Sequence, residues 1–253
     1  MHVELDLDGA VVLVTGGVRG VGLGITRAFL AAGAVVVTCA RRPSEVDGAS
    51  FVPCDVRDAD QVGALVSGIV AEHGRLDVVV NNAGGAPFAL AGKASPRFHS
   101  KIVELNLLAP LLVAQAANEV MQEQDSGGSI VNVSSVSGRR PSPGTAAYGA
   151  AKAGLDNLTS SLAVEWAPKV RVNALAVGMV RTEQSHLHYG SDAGIEAVAK
   201  TVPLGRLASP DEIGACAVFL ASPLASYVSG ATLVVHGGGE APAFLTAADG
   251  GSS

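Results

Sequence analysis

Charge is scarce in this chain. Asp, Glu, Lys and Arg make up 16% of its 253 residues, and their balance leaves a net charge of −6. An acidic balance argues against nucleic acid or an anionic membrane as the main partner, since both attract a cationic face. It leaves room for a local basic pocket. Cysteine is scarcer still: Cys39, Cys54 and Cys216 are odd in number and scattered. That pattern offers no disulfide framework and points to a reducing compartment, with the thiols as small core residues. No uninterrupted apolar run reaches the roughly 18 residues of a spanning helix. The opening MHVELDLDGA has acids where a secretory signal has basic residues. We therefore expect a soluble, cytoplasmic protein with no membrane or nucleic-acid partner. His186 and His188 in SHLHY look metal-like, but no cysteine or acid pattern surrounds them, so no metal site is expected.

What the chain has in quantity is short, valine-rich apolar runs: Ala10–Thr15, Ala34–Cys39, Ser50–Cys54, Asp77–Asn81, Ser129–Ser134, Val170–Ala176 and Ala231–His236. Runs of this kind fit strands buried on both faces of a parallel sheet. Helical spacing falls between them, roughly over 20–32, 58–73, 100–124, 148–166 and 210–221. Strand and helix alternating from end to end predict an α/β fold, a single domain over 1–253 with a doubly wound, mostly parallel seven-stranded sheet flanked by helices. Two regions break the rhythm. Residues 178–205 form a long polar connection of the kind that serves as a lid or binding loop, and a polar tail begins near Glu240.

The first strand runs into TGGVRGVG, Thr15–Gly22, which opens a helix. A strand, a glycine turn and a helix let backbone approach a phosphate and aim free N–H groups at it. Gly16, Gly20 and Gly22 are the positions that matter. In NAD binders an acid stands about 20 residues further on and bonds the ribose 2′-hydroxyl. Here the second strand ends CARRPSE, with Ala40 where that acid would stand and Arg41 and Arg42 after it. A guanidinium there pairs with a 2′-phosphate, and Arg19 within the turn would add to the patch. The alternative is a solvated arginine pair on a loop. The expected cofactor is NADP, with NAD possible.

A second stretch, YGAAK, holds Tyr148 and Lys152 at i and i+4, on one face of a helix. The small residues Gly149, Ala150 and Ala151 leave room around them for a cofactor and a neighbouring helix. TGGVRGVG, NNAG (Asn81–Gly84), the serine of NVSS and YGAAK, in that order, resemble the short-chain dehydrogenase/reductase family over about residues 7–240. The resemblance implies a Rossmann-type sheet, a nicotinamide cofactor, reversible hydride transfer between a carbonyl and an alcohol, and commonly a homotetramer. It makes Tyr148 the acid/base, Lys152 its partner and Ser135, 13 residues before Tyr148, the serine of the site. Asn106 in VELNLL matches the helix asparagine of the family's proton relay. The cofactor contacts it implies are Thr15, Gly16, Arg19, Gly20, Val21, Gly22, Arg41, Asp55 and Val56 beside the adenine, Asn82, Ala83 and Gly84 on the ribose side, Tyr148, Lys152, Gly178, Val180 and Thr182. One departure stands out: where family members usually carry Pro-Gly after the sixth strand, this chain has Val177-Gly178, which would loosen the entrance to the substrate loop.

The chemistry explains the pair. A free tyrosine, with a pKa near 10, is a poor base at pH 7. An ammonium about 4 Å away at an effective dielectric of 20 would favour phenolate by about 4 kcal/mol, or about 3 pKa units, before desolvation offsets it. Ser135 would donate to a developing alkoxide. The expected substrate is a small ketone or secondary alcohol, with a 3-oxoacyl thioester and a steroid or polycyclic alcohol both open. Arg139 and Arg140, which follow Ser135, are either solvated or face an anionic substrate arm such as coenzyme A or a carrier phosphate.

Overall fold

The computed structural model describes Leu5 and residues 7–242. Chain order is β1 (Val11–Thr15), α1 (Gly20–Ala31), β2 (Val35–Ala40), β3 (Ala49–Pro53), α2 (Ala59–His73), β4 (Val78–Asn81), α3 (Pro96–Val103), α4 (Ala109–Glu123), β5 (Gly128–Ser135), α5 (Ala146–Glu165), β6 (Val170–Val177), α6 (Ser185–Tyr189), α7 (Asp192–Ala199), α8 (Pro210–Ala221) and β7 (Thr232–Val235). The valine-rich runs are strands because β-branched side chains suit an extended, packed backbone. All seven pair in parallel, in the order β3-β2-β1-β4-β5-β6-β7. The sheet is thus wholly rather than mostly parallel.

Side chains alternate between the two faces of β1. Val11 and Leu13 join a core with α2, α4 and α5, while Val12 and Val14 join a second core with α1 and α8. Helices α1 and α8 cross at glycines: a side chain at Gly214 would lie 2.6 Å from the Gly24 carbonyl oxygen. Strand order reverses between β1 and β4, so a crevice opens at their carboxyl ends, where ligands of doubly wound sheets bind. Cys39 and Cys54 are buried in the first core, as expected of small apolar residues.

Three regions differ from the sequence expectation. The single helix expected over 100–124 is α3, a five-residue π-helical segment Glu104–Leu108, and α4. Together Pro96–Glu123 is long and apolar enough to cross a membrane by composition, but the run packs against α5 and the sheet. The connection over 178–205 is not plain loop. It contains α6 and α7, and Ile195, Ala199, Val202 and Leu207 form a small core of their own. Of the tail expected from Glu240, residues 243–253 lie outside the described residues.

Candidate active site

At the end of β1 the chain turns through Gly16 and Gly20, both in the left-handed region (φ 64° and 51°), where a side chain would be strained. Gly22 is required for another reason: a Cβ there would overlap the Gly16 carbonyl and lie 2.5 Å from Asn82 Nδ2. The turn is held from the side by β4. The Asn82 side-chain amide donates to the carbonyls of Thr15 (2.9 Å) and Gly16 (3.1 Å). Thr15 Oγ1 accepts from the backbone N–H groups of Asn82 and Ala83, each at 3.0 Å, and donates to the Val80 carbonyl. Thr15 and the Asn82 side chain are therefore committed to shaping the turn.

The helix that follows has no side-chain cap: Arg19 occupies its N-cap with φ −161° and contributes no capping bond. By contrast α2, α3, α7 and α8 are capped by Asp58, Ser95, Ser191 and Ser209. An uncapped helix start beside a glycine cradle that no Cβ could enter fits a phosphate. Arg19, Arg41 and Arg42 are exposed and make no hydrogen bond or ion pair with the described residues. Arg41 follows the end of β2 and faces Asp55 electrostatically. The Asp55 carboxylate is held by Arg57 (2.6 and 2.9 Å), which lowers its pKa. The side chains of Val21, Val56 and Val180 pack against or within the cores, so only their backbone is left to meet a ligand.

The ammonium of Lys152 is almost fully buried (3% exposed) and donates to the Val133 carbonyl at 2.7 Å. Gly84 lies next to it, its Cβ position 3.6 Å from Nζ and 2.7 Å from Asn106 Oδ1. Asn106, in the π-helical segment, spends its amide on clamping Gly85: Oδ1 accepts from Gly85 N–H (2.8 Å), and Nδ2 donates to the carbonyls of Gly85 (3.0 Å) and Ile102 (2.9 Å). Its side chain braces the cleft wall and is not a loose carrier of protons. A buried polar strip, Asn81 Nδ2 to Asn132 Oδ1 and Asn132 Nδ2 to Thr159 Oγ1, each 2.9 Å, ties α5 to the sheet. It sets the height at which Tyr148 and Lys152 stand.

Ser135 ends β5 and is buried, and its hydroxyl stands close enough to Tyr148 to draw its pKa down. It also accepts from the Ser137 N–H at 3.1 Å. The neighbouring Ser134 is occupied in donating to the Lys152 carbonyl. Lys152 Nζ lies 5.7 Å from the centroid of the Tyr148 ring. The electrostatics differ from the expectation that the ammonium would pull the phenol down by about 3 units. Burial raises the pKa of Tyr148, and only the Ser135 hydroxyl lowers it. The hydroxyl is packed more closely than the half-exposed residue as a whole suggests. Burial likewise lowers Lys152 to about 8. Two ionisable groups share one dry pocket, and desolvation outweighs their mutual effect. Gly149 also serves another end than expected: a Cβ there would meet the Ser137 carbonyl oxygen at 2.6 Å, so it admits the loop after Ser135 rather than a cofactor.

After β6 the chain returns over the glycine turn, with Thr182 Cγ2 3.6 Å and Glu183 Oε1 3.8 Å from the Cβ position of Gly20. Thr182 is fixed by Ser185 and Gln184. Gly178 N–H bonds Val235, and a side chain there would meet His236 Cα at 2.8 Å, so this glycine permits close strand packing. Val177 is buried and in register with Ser135 and Val235, so β6 continues through the place of the usual proline without loosening. The expectation of a looser entrance is not met. Arg139 and Arg140 are paired, with Asp156 (3.2 Å) and Glu240 (2.6 Å), rather than simply solvated. Among the described residues no cluster of His, Cys, Asp or Glu could hold a metal. His186 instead bonds the Gly190 carbonyl.

Sequence reasoning missed Asn132 and Thr159, Glu183 above the helix start, Phe88 stacked over Gly144, and Glu240. Only Glu240 had a visible signal, the triple glycine that precedes it in HGGGE.

Residues 16–240 match the family described as Enoyl-(Acyl carrier protein) reductase. The chain is 37% identical over 252 residues to a D-threitol dehydrogenase of Mycolicibacterium smegmatis, covering 94% of this chain and 96% of the relative. It is 39% identical over 239 residues to a 3-oxoacyl-(acyl-carrier-protein) reductase of Chlamydia muridarum, covering 89% and 95%. The ligand-free aldohexose dehydrogenase of Thermoplasma acidophilum superposes with a TM-score of 0.88 at 31% identity, over 92% of this chain and 94% of that one. A parallel sheet with a glycine cradle at its switch point, Ser135 and Lys152 gathered beside Tyr148, and relatives of these kinds lead to one conclusion: the chain belongs to the short-chain dehydrogenase/reductase family and is an oxidoreductase acting on CH–OH groups.

Proposed function

We propose that this protein is an NADP-dependent reductase of a ketone, with Tyr148, Ser135 and Lys152 as its catalytic residues. The single observation that carries the reading is the gathering of Ser135, Tyr148 and the buried Lys152 in one place, with Lys152 Nζ 5.7 Å from the centroid of the Tyr148 ring. When bound, the nicotinamide supplies hydride chemistry. Ser135 and Tyr148 present two hydroxyls to the carbonyl oxygen and stabilise the charge that develops on it. Tyr148, its pKa raised by burial, holds its proton at neutral pH and gives it to that oxygen. Lys152, with a pKa of about 8, sits near the working pH and replaces that proton. Asn106 acts through position alone, by bracing the Gly84–Gly85 wall.

The remaining cofactor residues hold rather than react. Gly16, Gly20 and Gly22 with the uncapped start of α1 would hold the pyrophosphate. Arg41, with Arg19 beside it, would meet the 2′-phosphate, since no acid stands at Ala40 to favour NAD. Asp55 and the Val56 backbone would flank the adenine, Asn82, Ala83 and Gly84 the ribose, and Gly178, Val180 and Thr182 the nicotinamide end. The free thiols fit a cytoplasmic location. Exposed apolar side chains lie on two separate parts of the surface: Leu108 and Val164 on the α4–α5 side, and Phe219, Leu224, Tyr227 and Leu233 around α8 and the edge strand β7. Two such surfaces suit the two kinds of contact in a homotetramer, which light scattering would show.

The names of the relatives, a polyol dehydrogenase, a sugar dehydrogenase and a carrier-protein reductase, do not choose a substrate. The test is Tyr148→Phe. Turnover across a ketone panel should fall by about 10²–10⁴ while the dissociation constant for NADPH, read by fluorescence, stays within about threefold. A variant with wild-type kcat would overturn the assignment.

A further inference from the structure

Beyond β7 the chain reads His236-Gly237-Gly238-Gly239-Glu240, and all three glycines lie in the left-handed region, at φ 63°, 96° and 89°. Space is as restrictive as backbone angle. A Cβ at Gly237 would lie 2.8 Å from Val202 Cγ1, and one at Gly238 would lie 2.8 Å from Pro203 Cβ. The Gly237 carbonyl accepts from Leu204 N–H at 3.1 Å. The glycine turn is thus pressed against the end of the α6–α7 segment, and it delivers Glu240 to the far wall of the cleft. There Glu240 Oε1 accepts from Arg140 Nη2 at 2.6 Å. Arg140 belongs to the loop that leaves Ser135 and returns to Tyr148, and its other terminal nitrogen, Nη1, donates to the Pro141 carbonyl at 3.0 Å. Tyr189, the last residue of α6, is near enough to feel both charges. Burial raises its pKa, Arg140 draws it down and Glu240 pushes it up.

We propose that Arg140 and Glu240 form a latch across the mouth of the substrate cleft, and that the latch selects a neutral substrate over an anionic one. The proposal rests on the reading of the site as a ketone and alcohol site. Three walls that share no strand pairing at this point converge on the latch: the β5–α5 loop, the end of α6, and the chain after β7. Each side of the ion pair keeps more than a third of its side-chain surface (39% for Arg140 and 36% for Glu240). An exposed pair of this kind holds weakly, so the latch opens readily to admit substrate and contributes little to global stability. Its chemical effect is larger than its mechanical one. Glu240 neutralises the cation that a phosphate or carboxylate arm would need. A neutral polyhydroxylated or ester-bearing ketone needs no cation at the mouth: its hydroxyls can donate to the carboxylate, and its carbonyls can accept from the guanidinium.

The experiment compares two ketones that differ mainly in charge, ethyl acetoacetate and acetoacetate, in the wild type, Glu240→Gln, Arg140→Gln and the double variant. In the wild type kcat/KM should favour the ester. Glu240→Gln should shift the ratio toward acetoacetate by about tenfold, mostly through KM, with kcat for the ester within about twofold. Adding Arg140→Gln should return the ratio to near its wild-type value. A ratio unchanged in Glu240→Gln, or a shift that survives loss of Arg140, overturns the selection. A wild type that binds NADPH yet reduces neither ketone overturns the ketone reading instead. The latch is then decided by hydrogen exchange alone: amides over 185–204 should exchange about two- to fivefold faster in both single variants, and unchanged exchange overturns it.

Discussion

Around the glycine turn, polar side chains are spent on the protein's own backbone: Asn82 on Thr15 and Gly16, Thr15 on Val80, Asn106 on Gly85. Across the cleft, the walls near Tyr148 are held by an exposed ion pair and by a core of four buried residues under α6 and α7. The first region is braced by buried and half-buried bonds, three of which tie the end of β1 to β4 and the residue after it. The second can move because little apolar surface lies beneath it. The proposed latch belongs to the second region, so its opening would leave the cradle unchanged.

The same substitution in the two regions is the strongest way to break this comparison. Gly22→Ala puts a Cβ onto the Gly16 carbonyl and Asn82. It should cost on the order of 3 kcal/mol of stability and abolish measurable cofactor binding. Gly205→Ala, at φ 71° with nothing within 4 Å, should cost only about 1 kcal/mol, the strain of the left-handed backbone. Thermal melts and NADPH titration of both variants check the contrast, and equal losses would remove it.

Lys152 is the buried charge between the two regions. Its folded pKa is depressed from 10.5 to about 8. Below about pH 8 it is charged in both states, and burying that charge costs on the order of 2–3 kcal/mol. As pH rises from about 8 toward 10.5 the folded protein releases the proton first. The unfolded chain then holds more protons, so stability rises with pH across that window. Lys152→Met should abolish turnover, flatten the rise and leave stability at pH 7 no lower. Melting temperatures against pH without cofactor would show it, and an undiminished rise in the variant would rule out Lys152 desolvation as its cause.

Asn82→Ala sharpens the rigid side. It removes two bonds that hold the turn, so stability should fall by about 1–2 kcal/mol and NADPH affinity by about tenfold, with kcat changed less. The smallest effect is expected at the solvated rim of the same site. Arg41→Ala should weaken NADPH by about tenfold, about 1.4 kcal/mol, and leave NADH nearly unchanged. Ala40→Asp should reverse the preference. Dissociation constants for both cofactors decide; if Arg41→Ala affects them equally, Arg41 is only a solvated loop residue.

The strands, their parallel pairing and the glycine turn were legible in the sequence, because valine runs and a strand–glycine–helix unit are local patterns whose physics needs no partner. Ser135, Tyr148 and Lys152 were legible through the order and spacing of motifs. The helices inside 178–205 were not, because α6 and α7 are only five and eight residues long and are held by Ile195, Ala199, Val202 and Leu207 meeting in space. Nor was the break in the helix over 100–124, since a π-helical segment costs no residue type that a periodicity count would notice.

The sequence by itself determined the architecture and which polar groups its motifs carry, because backbone preference, apolar periodicity and residue chemistry are properties of short stretches. Only the tertiary structure decided the state of those groups. Whether Lys152 lowers Tyr148 or is itself lowered depends on how dry their shared pocket is. Whether Arg140 is a free cation or half of a latch depends on Glu240 arriving from 100 residues away. Electrostatic free energy is set by distance and dielectric, and both are created only when the chain has folded.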